Sequence, residues 1–124
     1  MKKLLLITGL AEAATGVALM AAPALVGQLL LGADLTGVSV VVARVAGIAL
    51  LALGVGCWPG PASLGMLTYN ALGTVFFAWL ALGGPWRGPL LWPAVGLHAV
   101  LTLLLARAWI AGRTIGATKD KIDN

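Results

Sequence analysis

Four side chains that carry charge or form strong hydrogen bonds lie inside long apolar stretches of the sequence: Glu12, Arg44, Asn70 and His98. A carboxylate and an imidazole can exchange protons, and a guanidinium binds carboxylates and other anions. Ionisable groups in apolar surroundings are costly unless they are paired, and in membranes they often mark proton or substrate paths. These four residues are therefore the candidate site.

The stretches around these residues predict four membrane-spanning helices. About 20 apolar residues in a helix cross the roughly 30 Å hydrocarbon core of a bilayer. The run from Thr36 to Trp58 meets that length, and Arg44 is the one charge inside it. We expect one all-α domain, an integral membrane four-helix bundle, with spans at residues 4–22, 36–58, 63–83 and 90–110 and a polar tail at 112–124.

Composition agrees with a membrane protein and argues against several other classes. Hydrophobic residues make up 60% of the chain and charged residues 10%, whereas about a quarter of a soluble domain is charged. The net charge of +4 comes mostly from basic residues near the two ends, so the sequence predicts no nucleic-acid groove. The single Cys57 excludes an internal disulfide and a thiolate metal site within one chain.

The connectors and the flanking charges predict the topology. Pro23 should end or kink the first span, and the following apolar residues predict a short interfacial helix before the second span. Four spans place both termini on one side of the membrane. The side of the termini is flanked by six basic residues: Lys2, Lys3, Arg107, Arg113, Lys119 and Lys121. Only Arg87 lies in a loop on the other side. The positive-inside rule then predicts cytoplasmic termini in a multi-pass protein of a bacterial-type inner membrane.

Counting from the span ends places the four polar residues in the middle third of the membrane. Glu12 and Arg44 each lie about 12 Å from opposite edges of a 30 Å core, so their heights differ by roughly 6 Å. Asn70 is expected near the level of Glu12, and His98 near the level of Arg44. We predict that Glu12 and Arg44 are direct partners.

Two interpretations of this Glu–Arg–Asn–His cluster stay open. In the structural one, the charges neutralise each other and the polar groups fix which helices are neighbours. In the functional one, the cluster binds protons, anions or another ligand, with Thr15 and Tyr69 as secondary members. His98 is a conceivable haem or metal ligand, although a neutral imidazole bonded to a neighbour is favoured. The sequence contains no set of residues typical of a catalytic or metal site.

The residues GLAEAATGVALMAAPALVGQLLLG, followed by ARVAGIALLALGVGCW, resemble the small four-helix bacterial membrane proteins called DoxX-like. In that family a span with a Gly-rich face is followed by a Pro, a short apolar helix and a second span with a charged residue. The resemblance implies a four-helix membrane bundle. It also implies a loosely defined function, because some members look like accessory subunits of membrane redox systems. It assigns no catalytic residue.

Three functions follow as hypotheses. The first is an accessory or assembly subunit, or a homo-oligomer, that needs no cofactor. The second is a small proton-coupled transporter or channel acting as a dimer, with Glu12 binding the proton and Arg44 either modulating Glu12 or contacting an anion. The third is a binder of lipid, quinone or haem that uses His98. The small-residue spacings Gly9–Ala13 and Ala43–Gly47 fit dimer contacts as well as contacts inside one chain.

Overall fold

The structure, a computed structural model, describes residues 2–123 and is all-α, with no strand among these residues. Its helices follow one another along the chain: α1 Lys2–Ala21, α2 Pro23–Leu31, α3 Val38–Gly56, α4 Ser63–Gly83 and α5 Leu91–Ile122. Four of them, α1, α3, α4 and α5, are long and apolar enough to cross a membrane. The nine residues of α2 reach only about 13 Å, which is too short to cross one.

The α1–α2 connection is a sharp turn at a proline. Pro23 is the first residue of α2, where its missing N–H and fixed φ are tolerated. α2 ends at Gly32, whose φ of 65° is left-handed and whose N–H donates to the carbonyl of Gln28. This short helix follows the first span as expected, and its place at a membrane interface stays a prediction.

Glycines allow α1 and α3 to pack backbone against backbone. A Cβ atom added to Gly16 would lie 2.6 Å from the carbonyl oxygen of Gly47, and one added to Gly54 would lie 2.8 Å from the Cβ of Ala13. A Cβ on Gly9 would similarly lie 2.9 Å from the Cβ of Cys57. Such close approach requires residues without side chains. Both small-residue spacings noted in the sequence, Gly9–Ala13 and Ala43–Gly47, therefore contribute residues to packing inside one chain.

The four long helices form an open row rather than a closed ring. α1 packs against α3, α3 against α4, and α4 against α5. Among residues 2–123, no Cα atoms of α1 and α5 lie within 8 Å of each other, and the same holds for α1 with α4 and for α3 with α5. The first and last spans thus do not close a bundle within one chain. Each end helix has one long neighbour only.

α5 differs from the expected fourth span, because it does not end near residue 110. It comprises 32 residues and is about 48 Å long, so it is roughly 18 Å longer than a hydrocarbon core is thick. The polar tail from residue 112 to 122 is therefore the last part of a continuous helix. The hydroxyls of Thr114 and Thr118 donate to the carbonyls of Ile110 and Thr114, four residues earlier.

Candidate functional site

Asn70 and His98 lie together between α4 and α5. The Nδ1 atom of His98 is 2.9 Å from Oδ1 of Asn70, and the side chain of Asn70 is 1% exposed. The Nδ2 atom of Asn70 donates to the carbonyl of Met66 at 2.8 Å. Because that amide donates elsewhere, Oδ1 is the acceptor toward the imidazole, and Nδ1 of His98 carries the proton. In a neutral imidazole, Nε2 then keeps its lone pair.

Two threonines extend this hydrogen-bonded group by one helical turn. The hydroxyls of Thr74 and Thr102 lie 3.5 Å apart across the α4–α5 contact. Each also donates to a carbonyl of its own helix, Thr74 to Asn70 and Thr102 to His98. Asn70, Thr74, His98 and Thr102 therefore lie in one group, the α4–α5 polar contact. Asn70 and His98 are joined by a hydrogen bond, whereas the two threonine hydroxyls give their protons to backbone carbonyls and only approach each other.

Aromatic rings surround the imidazole of His98. The Tyr69 ring meets it edge-on at a centroid distance of 5.5 Å, and the Phe77 ring lies 5.3 Å away at a tilt of 43°. Gly73 lies beside the imidazole, and a Cβ added there would be in ordinary van der Waals contact with Nδ1 at 3.5 Å. His98 is thus held by a hydrogen bond and two rings. Among residues 2–123, no three His, Cys, Asp or Glu side chains gather in a way that could hold a metal ion.

Arg44 lies apart from this contact, on the α1–α3–α4 side of the row. It lines a cavity of about 370 Å³ whose other walls are apolar side chains of α1, α3 and α4. Its Nε atom is buried and has no hydrogen-bond partner among the described residues. Arg44 as a whole is half-buried, and its Nε is the one nitrogen or oxygen atom among the described side chains that is buried without a hydrogen-bond partner.

The expected pair of Glu12 and Arg44 is absent within the described residues. Arg44 shares its cavity with Met20, which follows Glu12 by eight residues, or about 12 Å along α1. The height estimate of about 6 Å was wrong because it assumed that the two spans begin and end at the same levels. The contact of Gly16 with Gly47 sets the actual register, which leaves α1 displaced along α3. The transporter hypothesis stays a prediction: modulation of Glu12 by Arg44 lacks a direct contact within one chain, whereas an anion contact at Arg44 does not require one.

The two secondary candidates also lie in different places. Thr15 is exposed, and its hydroxyl donates back to the carbonyl of Ala11 at 2.9 Å. Tyr69 is half-buried and belongs to the aromatic surroundings of His98. The structure therefore brings Asn70, His98 and Tyr69 together and keeps Glu12, Arg44 and Thr15 away from them.

Thr74 and Thr102 were not among the residues that the sequence indicated. Each follows a candidate residue by four positions, Thr74 after Asn70 and Thr102 after His98. Positions four apart share one helix face, so this repeated spacing was the available signal. Because threonines are common in membrane helices and often bond to their own backbone, the spacing alone did not distinguish these two.

No family model, curated protein or solved structure matches this chain. The resemblance to DoxX-like proteins therefore stays a prediction.

Proposed function

We propose that this protein is a multi-pass protein of a bacterial-type inner membrane, and that it acts as a non-enzymatic subunit of an assembly containing a second copy of the chain. Four helices long and apolar enough to cross a membrane support the location. The excess of basic residues near the two termini, against Arg87 alone in a connecting loop, supports cytoplasmic termini.

The free side of α5 is the observation that carries this proposal. α5 packs against α4 only, and none of its residues is buried. Gly96 is exposed on this helix, and a Cβ atom added there would meet nothing within 4 Å. Leu103 follows Gly96 by seven residues, close to two full turns, and is 65% exposed on the same side.

An outward-facing glycine lets a second helix approach closely, which favours association in a membrane. A second copy is the simplest partner, because a two-fold axis beside α5 presents the same residues on both sides of the contact. The contact would also extend the open row from four long helices to eight, with α5 no longer at its end.

The test compares two glycines of α5 at which an added Cβ atom would meet nothing within 4 Å. Gly96→Leu adds a bulky side chain to the proposed contact, whereas Gly112→Leu adds the same side chain further along the helix, where nothing lies within 4 Å either. Native mass spectrometry in mild detergent measures the number of copies. The wild type and Gly112→Leu should be dimers, and Gly96→Leu should raise the dissociation constant at least tenfold.

A wild-type protein that stays monomeric in mild detergent and in lipid nanodiscs would contradict the proposal. So would a Gly96→Leu variant that dimerises as strongly as Gly112→Leu. Circular dichroism of both variants controls for folding. Neither substitution should clash in the monomer at its Cβ atom, because nothing lies within 4 Å of that atom at either glycine.

A further inference from the structure

The cavity that contains Arg44 lies at one end of the row of spans. Its walls come from the last turn of α1, the first part of α3 and the second half of α4, through Met20, Ile48, Leu72, Phe76 and Trp79. α1 ends, α3 begins and α4 ends on the same side of the row, which is the side opposite to the N-terminus. This space, the Arg44 cavity, therefore opens near one membrane surface and extends toward the middle of the spans.

Helix geometry favours a guanidinium of Arg44 that lies toward that end of the row. Arg44 lies six residues after the start of α3 at Val38, which places its Cα about 9 Å from the end of the helix. Side chains on an α-helix lean toward the N-terminus, which favours the same direction for a long arginine side chain. Ile48 follows Arg44 by one turn, so its apolar side chain lines the cavity further from that end.

Among residues 2–123, no acidic side chain lines the Arg44 cavity. The sequence has four acidic residues. Glu12 lies about two turns away along α1 from Met20. Asp34 accepts a hydrogen bond from Gln28 at 2.6 Å, and the other two acids lie at the C-terminal end of α5. In a second copy with the same orientation, Glu12 would lie at the same depth as in the first, about two turns away from the level of Met20.

We propose that the Arg44 cavity binds the oxyanion head of an amphiphile, a phosphate or a carboxylate, with its apolar tail lying against Ile48 and Leu72. A guanidinium has five N–H donors in a fork that matches both oxyanions, and Nε of Arg44 has no acceptor among residues 2–123. The stacked rings of Phe76 and Trp79, with centroids 6.0 Å apart, form an apolar wall for the tail. A volume of about 370 Å³ lies within the range of ligand pockets, roughly 300–1,000 Å³.

The Arg44 cavity is separate from the proposed dimer contact, because it lies between α1, α3 and α4, whereas the dimer contact uses α5. A ligand in this cavity also differs from a ligand at His98, since His98 does not line the Arg44 cavity. Two sources share the proposed chemistry, a membrane phospholipid and a free fatty acid. The test therefore offers both head groups separately.

The test measures binding of three probes to purified protein in mild detergent: phosphatidylglycerol, oleate and uncharged monoolein. The wild type should bind phosphatidylglycerol or oleate at least tenfold more tightly than monoolein. Arg44→Gln should lose this preference. Arg107→Gln, which removes an exposed arginine of α5 outside the cavity, should keep it.

A second variant keeps the test decisive if Arg44→Gln folds poorly. Leu72→Trp leaves the charge in place and fills the deeper part of the cavity, so it should weaken binding of the preferred probe at least tenfold. Preference for phosphatidylglycerol identifies a phospholipid as the source, and preference for oleate identifies a fatty acid. Equal binding of all three probes to the wild type, or an unchanged preference in folded Arg44→Gln, would overturn the inference.

Discussion

Replacing Gly16 by alanine tests whether α1 and α3 touch backbone to backbone. The added methyl carbon would lie 2.6 Å from the carbonyl oxygen of Gly47 and 2.6 Å from the amide nitrogen of Leu51. Ordinary contacts begin at 3.4 Å, so one helix has to move by about 0.8 Å. Both neighbouring atoms belong to the backbone of α3, and no side chain can rotate to make room.

The expected cost follows from two opposing effects. Overfilling a packed contact costs about 1–3 kcal/mol, whereas alanine is a better helix former than glycine by about 1 kcal/mol. We therefore expect Gly16→Ala to lower the free energy of unfolding by up to about 2 kcal/mol. Gly112→Ala is the matched control, because no atom lies within 4 Å of its added Cβ, and it should be neutral or stabilising by up to about 1 kcal/mol.

Unfolding by sodium dodecyl sulfate in mixed micelles, followed by tryptophan fluorescence, measures both variants. If Gly16→Ala unfolds at the same denaturant fraction as Gly112→Ala, the close contact is refuted, since the backbones of α1 and α3 would then be far enough apart to admit a methyl group. A loss much larger than 3 kcal/mol would instead mean that the helices cannot shift at all.

Two further predictions concern the polar residues and the topology. Asn70→Ala should cost about 1–3 kcal/mol, because it leaves Nδ1–H of His98 without an acceptor. In a double-mutant cycle, adding His98→Ala should cost clearly less than it does alone, and additive losses would show that the two side chains are not coupled. In a Cys57→Ser background, Arg87→Cys in intact cells should react with a membrane-impermeant maleimide, whereas Thr118→Cys should react only after permeabilisation; the reverse pattern would contradict cytoplasmic termini.

The helical character of the chain could be predicted because its apolar runs have the length that a bilayer requires. Arg44 stands inside such a run, and the structure indeed forms α3 around it, from Val38 to Gly56. The continuation of α5 could not be predicted from polarity. Residues 111–122 contain no proline, and the backbone bonds of Thr114 and Thr118 are compatible with helix. The polar composition of residues 111–122 indicated a segment outside the membrane, but it did not indicate whether that segment is helix or coil.

The candidate site could be predicted only in part, because the shift of each helix along its neighbour decides which of these residues meet. Depth counted from span ends placed Asn70 near the level of Glu12 and His98 near the level of Arg44, yet the side chains of Asn70 and His98 lie within hydrogen-bond distance between α4 and α5. The same count was wrong for Glu12 and Arg44. Their helices are joined through α2, and the glycine contacts shift α1 along α3. Depth counted from span ends does not include such a shift.

Cysteine cross-linking in native membranes tests the proposed assembly most directly. Leu103→Cys, in a Cys57→Ser background, places one thiol on the free side of α5. Leu53→Cys places a thiol on α3, where the native side chain is 54% exposed and is not part of the proposed contact. Oxidation should yield a covalent dimer from Leu103→Cys and none from Leu53→Cys. Monomer from both variants, or equal dimer from both, would contradict assembly through α5.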